Sequence, residues 1–195
     1  MREKSEGRNP KTKGREFALL DEGRVFTGFR ISAFGLRIFL MLLYLLRHAN
    51  ADTPAARDDE RRLSERGQEQ AKVVARFCQK NDVVPSIILS SPLPRARETA
   101  QPVSDLLKVP ITVVPWLSCG LMPSTAIEEL AAFRSHPSVM IVGHEPDFSS
   151  LIAELTGMPS PSLIHVRKAS LSAVQLDVLR ARAGRLEYSI PCKMM

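Results

Sequence analysis

The sequence has little of what disulfide-stapled, metal-binding or membrane-spanning proteins require. Its three cysteines, Cys78, Cys119 and Cys192, are odd in number and widely spaced, with no CxxC pair and no His-Cys spacing of a zinc site. They exclude a disulfide framework and read as reduced thiols of a cytoplasmic protein. The longest uninterrupted apolar run, "IFLMLLYLL", has nine residues between Arg37 and Arg47, against roughly twenty for a spanning helix. No membrane span is therefore expected. Aromatic residues are only 6% of the chain and do not interleave with the net charge of +6, which argues against a nucleic-acid partner. The surplus is also lopsided: residues 1–40 carry nine Lys/Arg against five Asp/Glu, while residues 41–195 carry eighteen against sixteen. The basicity belongs mostly to the leader, and no internal repeat is present.

What is there suits one domain of ordinary size, 195 residues with 44% hydrophobic content. Residues 1–40 mix charge, glycine and polar residues without a sustained period and read as a poorly ordered basic extension. The leader, the apolar run and "ANA" imitate a secretory signal with its cleavage site, but cleavage there would discard Arg47 and His48. The simpler expectation is that Met41 is the natural start and residues 41–195 form the domain. Intact mass of the native protein distinguishes the two.

From residue 41 short apolar runs alternate with amphipathic stretches. "LLYLL", "SIILSS", "ITVVPWL" and "VMIVGH" read as strands. "SERGQEQAKVVARFCQKN" reads as a helix capped by Ser64, "PRARETAQPVSDLLK" as one opening at Pro94, "TAIEELAAFRS" as a third, and "EPDFSSLIAELTG" as a fourth that begins with a proline and stops at Gly157. "ASLSAVQLDV" and "GRLEYSI" read as a closing hairpin-like pair. Strands alternating with helices predict a three-layer α/β/α sandwich with a mostly parallel sheet.

Such sheets bind ligands at the carboxyl ends of their strands, where loops converge and helix N-termini point inward. Just after the apolar runs stand Arg47 and His48, then "SPLPRARETA" with Arg95, then Gly143 and His144. Two histidines and at least two arginines thus reach one rim from distant parts of the chain. A planar guanidinium grips two phosphoryl oxygens at once, so Arg47 and Arg95 suit a clamp, helped by the dipole of the helix opening at Pro94. A histidine between two arginines has its cationic form disfavoured, and neutral imidazole can attack phosphorus. His48 is the candidate nucleophile. His144 is the candidate donor to a phosphoryl oxygen.

The segments "LRHANA", "LSERGQEQA", "SSPLPRARETA" and "VGHEP", in this order, together resemble the histidine phosphatase superfamily, most of all its SixA-type phosphohistidine phosphatase branch. The resemblance covers about residue 41 to the C-terminus. It implies a phosphoglycerate mutase-like fold with one antiparallel strand, no metal or other cofactor, and a phosphoenzyme on His48. Arg47, Arg95 and His144 match the phosphate-binding positions. Two departures stand out: Ala49 where many members have glycine, though SixA-like chains often carry alanine, and Arg62 where proline is usual.

Many relatives supply a leaving-group acid from an insertion between the second arginine and the second histidine. Here Arg95 and His144 are only 49 residues apart, an interval already filled by a helix, a strand and another helix. The nearest carboxylates, Glu128 and Glu129, lie in an amphipathic helix, where at least one reads as solvated. An alkoxide would leave poorly without a proton donor, whereas the P–N bond of phosphohistidine is labile, and an open mouth admits a protein surface. The expected partner is therefore a phosphohistidine-bearing phosphorelay protein, served in signal transduction by a monomer. The alternatives are a small phosphate ester hydrolysed by a general phosphomonoesterase, or a catalytically idle phosphate-binding module. Ser91 reads equally as a phosphate contact or a turn cap, Thr99 and Ala100 as packing residues, Trp116 as core cover, His136 and His165 as structural or exposed. Asp52, Asp58 and Asp59 belong to a polar loop in which one acid is placed to orient Arg61 or Arg62.

Overall fold

Along the first strand alternate side chains enter two different cores. Leu43 and Leu45 pack on one face, Tyr44 and Leu46 on the other, and all four are buried. A strand greasy on both faces can only sit between two layers of helix, which is what the computed structural model shows for the residues it describes, 41–52 and 57–195. The expected extension, residues 1–40, lies outside them.

The elements in order are β1 (Met41–Arg47), α1 (Glu65–Lys80), β2 (Ile87–Ser90), α2 (Pro94–Leu107), β3 (Ile111–Val113), α3 (Pro123–Leu130), β4 (Ser138–Gly143), α4 (Asp147–Thr156), β5 (Leu171–Leu176) and β6 (Gly184–Ile190). They build one six-stranded sheet in the order β3-β2-β4-β1-β5-β6. β1, β2, β3 and β4 are mutually parallel, β5 runs against β1, and β6 runs against β5. One strand of the six is thus antiparallel to the rest, as the resemblance implies. α1 and α2 cover one face through Ala71, Val74, Cys78, Ala96, Ala100 and Val103. α3 and α4 cover the other through Ala126, Leu130, Phe148, Leu151, Ile152 and Leu155. The three-layer sandwich is the architecture observed.

Local signals explain most boundaries. Ser64 caps α1, its hydroxyl accepting from Gly67 N–H at 3.1 Å, and the stripe Gly67, Ala71, Val74, Ala75 and Cys78 faces inward. Gly67 has to be glycine because a Cβ there would lie 1.9 Å from the carbonyl oxygen of Asn50. α4 ends at Gly157 in the left-handed conformation, φ 75°. Two elements differ from expectation. "ITVVPWL" is strand only to Val113, because Pro115 has no N–H for the ladder and Pro115–Leu117 curls into a 3₁₀ turn. The proline expected to begin α4, Pro146, stands one place ahead of the helix as its N-cap. Among the described residues no helix is long and apolar enough to cross a membrane.

Candidate active site

The central pair of parallel strands sets the site. β1 and β4 pair in register from Leu42 opposite Ser138 to Arg47 opposite Gly143, and His48 N–H then donates to Gly143 C=O at 3.0 Å. His48 and His144 therefore leave adjacent strands at the same level. Neighbouring strands lie about 4.8 Å apart, and the two imidazole centroids are 5.2 Å apart, tilted by 52°.

The chain around His48 is held from three sides. Its carbonyl accepts from Ala169 N–H at 3.2 Å. Ala49 N–H donates to Thr99 Oγ1 at 3.0 Å, and the Thr99 hydroxyl donates to Arg95 C=O at 2.7 Å. Thr99 does more than pack: it ties α2 to the loop that carries His48. Ala49 keeps a negative φ, so glycine's freedom is not needed there. The left-handed residue is Ala169, at φ 54° and fully buried, a conformation costing an L-residue about 1–2 kcal/mol.

Hydrogen bonding fixes the His48 tautomer. Nδ1 lies 2.8 Å from Ala49 C=O, and a carbonyl only accepts, so Nδ1 carries the hydrogen and Nε2 keeps its lone pair. Burial is the main reason the His48 pKa falls from 6.5 to about 3, with the charges of His144, Arg95 and Arg47 adding to it against the Ala49 bond. His144 falls to about 4, again through burial first and then Arg95. Its Nε2 meets Ser91 Oγ at 2.8 Å while Ser91 Oγ also accepts from Leu93 N–H. The Nδ1 of His144 is buried and has no partner. Ser91, open between two roles in the sequence, orients His144.

Both arginines act on both imidazoles through their charge, and each is anchored at one end. Arg47 Nη1 donates to Val166 C=O at 2.8 Å, while its buried Nε has no partner. Arg95 is only 3% exposed. It donates to Asp58 C=O at 2.7 Å, to Asp58 Oδ2 at 3.1 Å and to Cys119 Sγ at 3.4 Å. Asp58 also binds Arg61 at 2.9 Å, and Arg61 and then Arg95 hold its carboxyl below the usual range. The loop acid expected to orient Arg61 thus reaches the clamp as well. No periodicity marks such a residue, and only its place upstream of two arginines hinted at it. Cys119 is held in place indirectly, Asp147 Oδ2 accepting from Gly120 N–H at 2.9 Å.

The remaining singled-out residues lie elsewhere. Arg62, the unexplained cation, pairs with Glu98, whose second oxygen accepts Leu63 N–H at 2.8 Å. Glu128, Glu129 and His165 are exposed, and Trp116 packs on the core. Glu145, passed over in the sequence, is half-buried. Ser149 donates to its Oε2 at 2.8 Å, its Oε1 is buried without a partner, and burial raises its pKa against the pull of Arg47. Among the described residues no three of His, Cys, Asp and Glu converge as a metal site needs.

What this arrangement does chemically follows from its parts: a neutral imidazole lone pair beside two guanidiniums and unpaired buried nitrogens suits attack on an anionic, tetrahedral group. A pH prediction follows. Both histidines are bases with lowered folded pKa values, so they stay neutral until pH falls toward about 3 and 4. The acid limb of kcat/KM, which reports the free enzyme, is expected well below 5 once the substrate's own ionisation is corrected. A limb near 6.5 would overturn the assignment. The same depression costs stability as pH falls below 6.5, since the unfolded chain binds protons the folded one refuses.

The sequence model described as "Histidine phosphatase superfamily (branch 1)" matches residues 43–118. The phosphohistidine phosphatase SixA of Escherichia coli (strain K12) is 28% identical over 141 residues, covering 70% of this chain and 86% of that protein. In fold, the protein histidine phosphatase SixA complexed with tungstate superposes with a TM-score of 0.71 at 24% identity, over 78% of this chain and 98% of that one. The α-ribazole phosphatase from Shigella flexneri superposes with a TM-score of 0.65 at 21% identity, over 78% of this chain and 97% of that one.

Proposed function

On the premise that this chain carries the sequence pattern and the fold of the histidine phosphatase superfamily, we propose that it is a phosphatase working through a phosphohistidine intermediate on His48, and that its substrate is phosphohistidine on a phosphorelay protein. The observation that supports the reading most is the His48 tautomer: Nε2 free, Nδ1–H held by Ala49 C=O, with His144 5.2 Å away.

The phosphoryl group enters between the guanidiniums, exchanging for the Asp58 carboxylate on Arg95 and pairing with Arg47 Nε and His144 Nδ1. His48 Nε2 attacks phosphorus in line, the bond from phosphorus to the substrate imidazole breaks, and the leaving nitrogen takes a proton from solvent. His48 is then cationic, and its Nδ1–H bond to Ala49 C=O, which favours the charged ring, stabilises it. Water next attacks phosphorus, the bond to Nε2 breaks, and inorganic phosphate leaves with neutral His48 restored. Donors already aimed at the equatorial oxygens stabilise the charge of both transition states.

What surrounds the pocket supports this substrate class. Between Arg95 and His144 the chain is occupied by α2, β3, α3 and β4, leaving no lid to enclose a small ester or to deliver an acid to an alkoxide. The test is a ranking of substrates by kcat/KM. A histidine-phosphorylated phosphotransfer protein is expected to exceed p-nitrophenyl phosphate and sugar phosphates by at least about 100-fold, the contrast between a labile nitrogen leaving group on a matched surface and an unassisted ester. The reverse ranking would make the chain a small-molecule phosphomonoesterase.

A further inference from the structure

Beside the candidate active site lies a cavity of about 260 Å³ whose charge is one-sided. Arg66, Arg167, Lys168 and Lys193 line it together with Asn50, Gln70, Pro191 and Cys192, and no carboxylate does. The four cations come from three stretches of chain: the first turn of α1, the loop before β5 and the C-terminal 3₁₀ turn. Some cations elsewhere on the surface have acid partners, such as Arg57 with Asp59, Lys72 with Glu69 and Arg185 with Glu187, and others stand singly; this cavity gathers four together. Among the described residues none of these four lies within ion-pair distance of a carboxylate.

The cluster is unfavourable by itself. Arg66 sits at the N-terminal end of a sixteen-residue helix, where the dipole already presents positive charge. Lys168 has its pKa lowered by burial and then by the charges of Arg47, Arg61, Arg66 and Arg95. An anion in the cavity would relieve that repulsion. The cavity also adjoins the catalytic loop: Lys168 Nζ donates to Asn50 Oδ1 at 3.0 Å, two residues from His48, and the next residue, Ala169, binds the His48 carbonyl.

We propose that this cavity is a docking site for acidic side chains on the protein that delivers the phosphoryl group. The inference rests on the proposed reading of the neighbouring pocket. Three of the four cations are exposed and spread over separate segments, which suits several carboxylates on a protein face better than the second phosphate of a small molecule. That would need a closed fork of guanidiniums like the one around His48.

Two synthetic phosphohistidine peptides, one flanked by Asp and Glu and one by Asn and Gln, test it on the full-length protein. The acidic peptide is expected to have about tenfold higher kcat/KM at low salt, converging on the neutral one as salt rises. The triple variant Arg66→Glu, Arg167→Glu, Lys193→Glu is expected to lose or invert that preference while turning over the neutral peptide within about threefold of wild type, the mark of a charge effect on encounter. Equal kcat/KM on the wild type, or a preference that survives in a variant with unchanged melting, overturns the proposal. So does inhibition by an RNA oligonucleotide but not by poly-L-glutamate. If neither peptide is hydrolysed, the reading of the active site fails instead. Fluorescence anisotropy of the unphosphorylated acidic peptide then still decides the docking site: binding at least tenfold weaker to the triple variant supports it, and equal binding sinks it.

Discussion

His48→Ala is expected to lower turnover of any phosphorylated substrate by about 10⁴-fold or more and to abolish acid-labile phosphate on the enzyme, since removal of a covalent nucleophile leaves only binding and electrostatics. The side chain is 7% exposed, and its Nε2 carries the lone pair. His144 does not substitute for it, because its Nε2 is engaged with Ser91 Oγ at 2.8 Å and its Nδ1 is buried. Rapid quenching of the wild type with phosphorylated substrate, followed by mapping of the modified residue, is expected to place the phosphoryl group on His48. Activity that survives the substitution would place catalysis elsewhere; a wild type with no turnover to lose would make the chain a phosphate-binding module.

Gly67→Ala is expected to have the largest effect on stability, about 3 kcal/mol or more, because the added Cβ overpacks a backbone contact rather than the yielding end of a side chain. The Cβ would sit 1.9 Å from Asn50 O and 2.9 Å from Asn50 C. Asn50 has little room to retreat: its N–H donates to Gln70 Oε1 at 2.9 Å, its Nδ2 to Ser64 Oγ at 3.1 Å, and its carbonyl accepts from Ser64 N–H at 3.1 Å. Moving it drags the loop that begins at His48. For a domain of this size a loss of that order lowers Tm by roughly 6–12 °C, so calorimetry reads it directly. The loss of activity measured below the transition separates displacement of the loop from mere unfolding. A Tm within a degree of wild type would overturn the close approach of α1 to the loop.

Much of the fold was legible because strand and helix use different periods and because β1 is apolar on both faces. The strand ends drew attention to Arg47, His48, Arg95 and His144, and the register of β1 with β4 brings the two imidazoles together. What the sequence withheld are contacts made by loops. Asp58 lies 37 residues from Arg95 and Thr99 lies 50 from Ala49, and no local pattern records such pairs. Arg62 was misleading for the same reason, since this loop residue has its partner, Glu98, on α2. Glu145 was overlooked because its neighbour His144 absorbed the motif.

The spacing of the two imidazoles is inherited from the repeat distance between hydrogen-bonded strands, not from the length of any connecting segment. Chain grafted into the crossover between Arg95 and β4 would accordingly leave the spacing of the reacting pair as it is. A scaffold of this kind exchanges substrates by swapping rim and roof while its reactive centre stays the same.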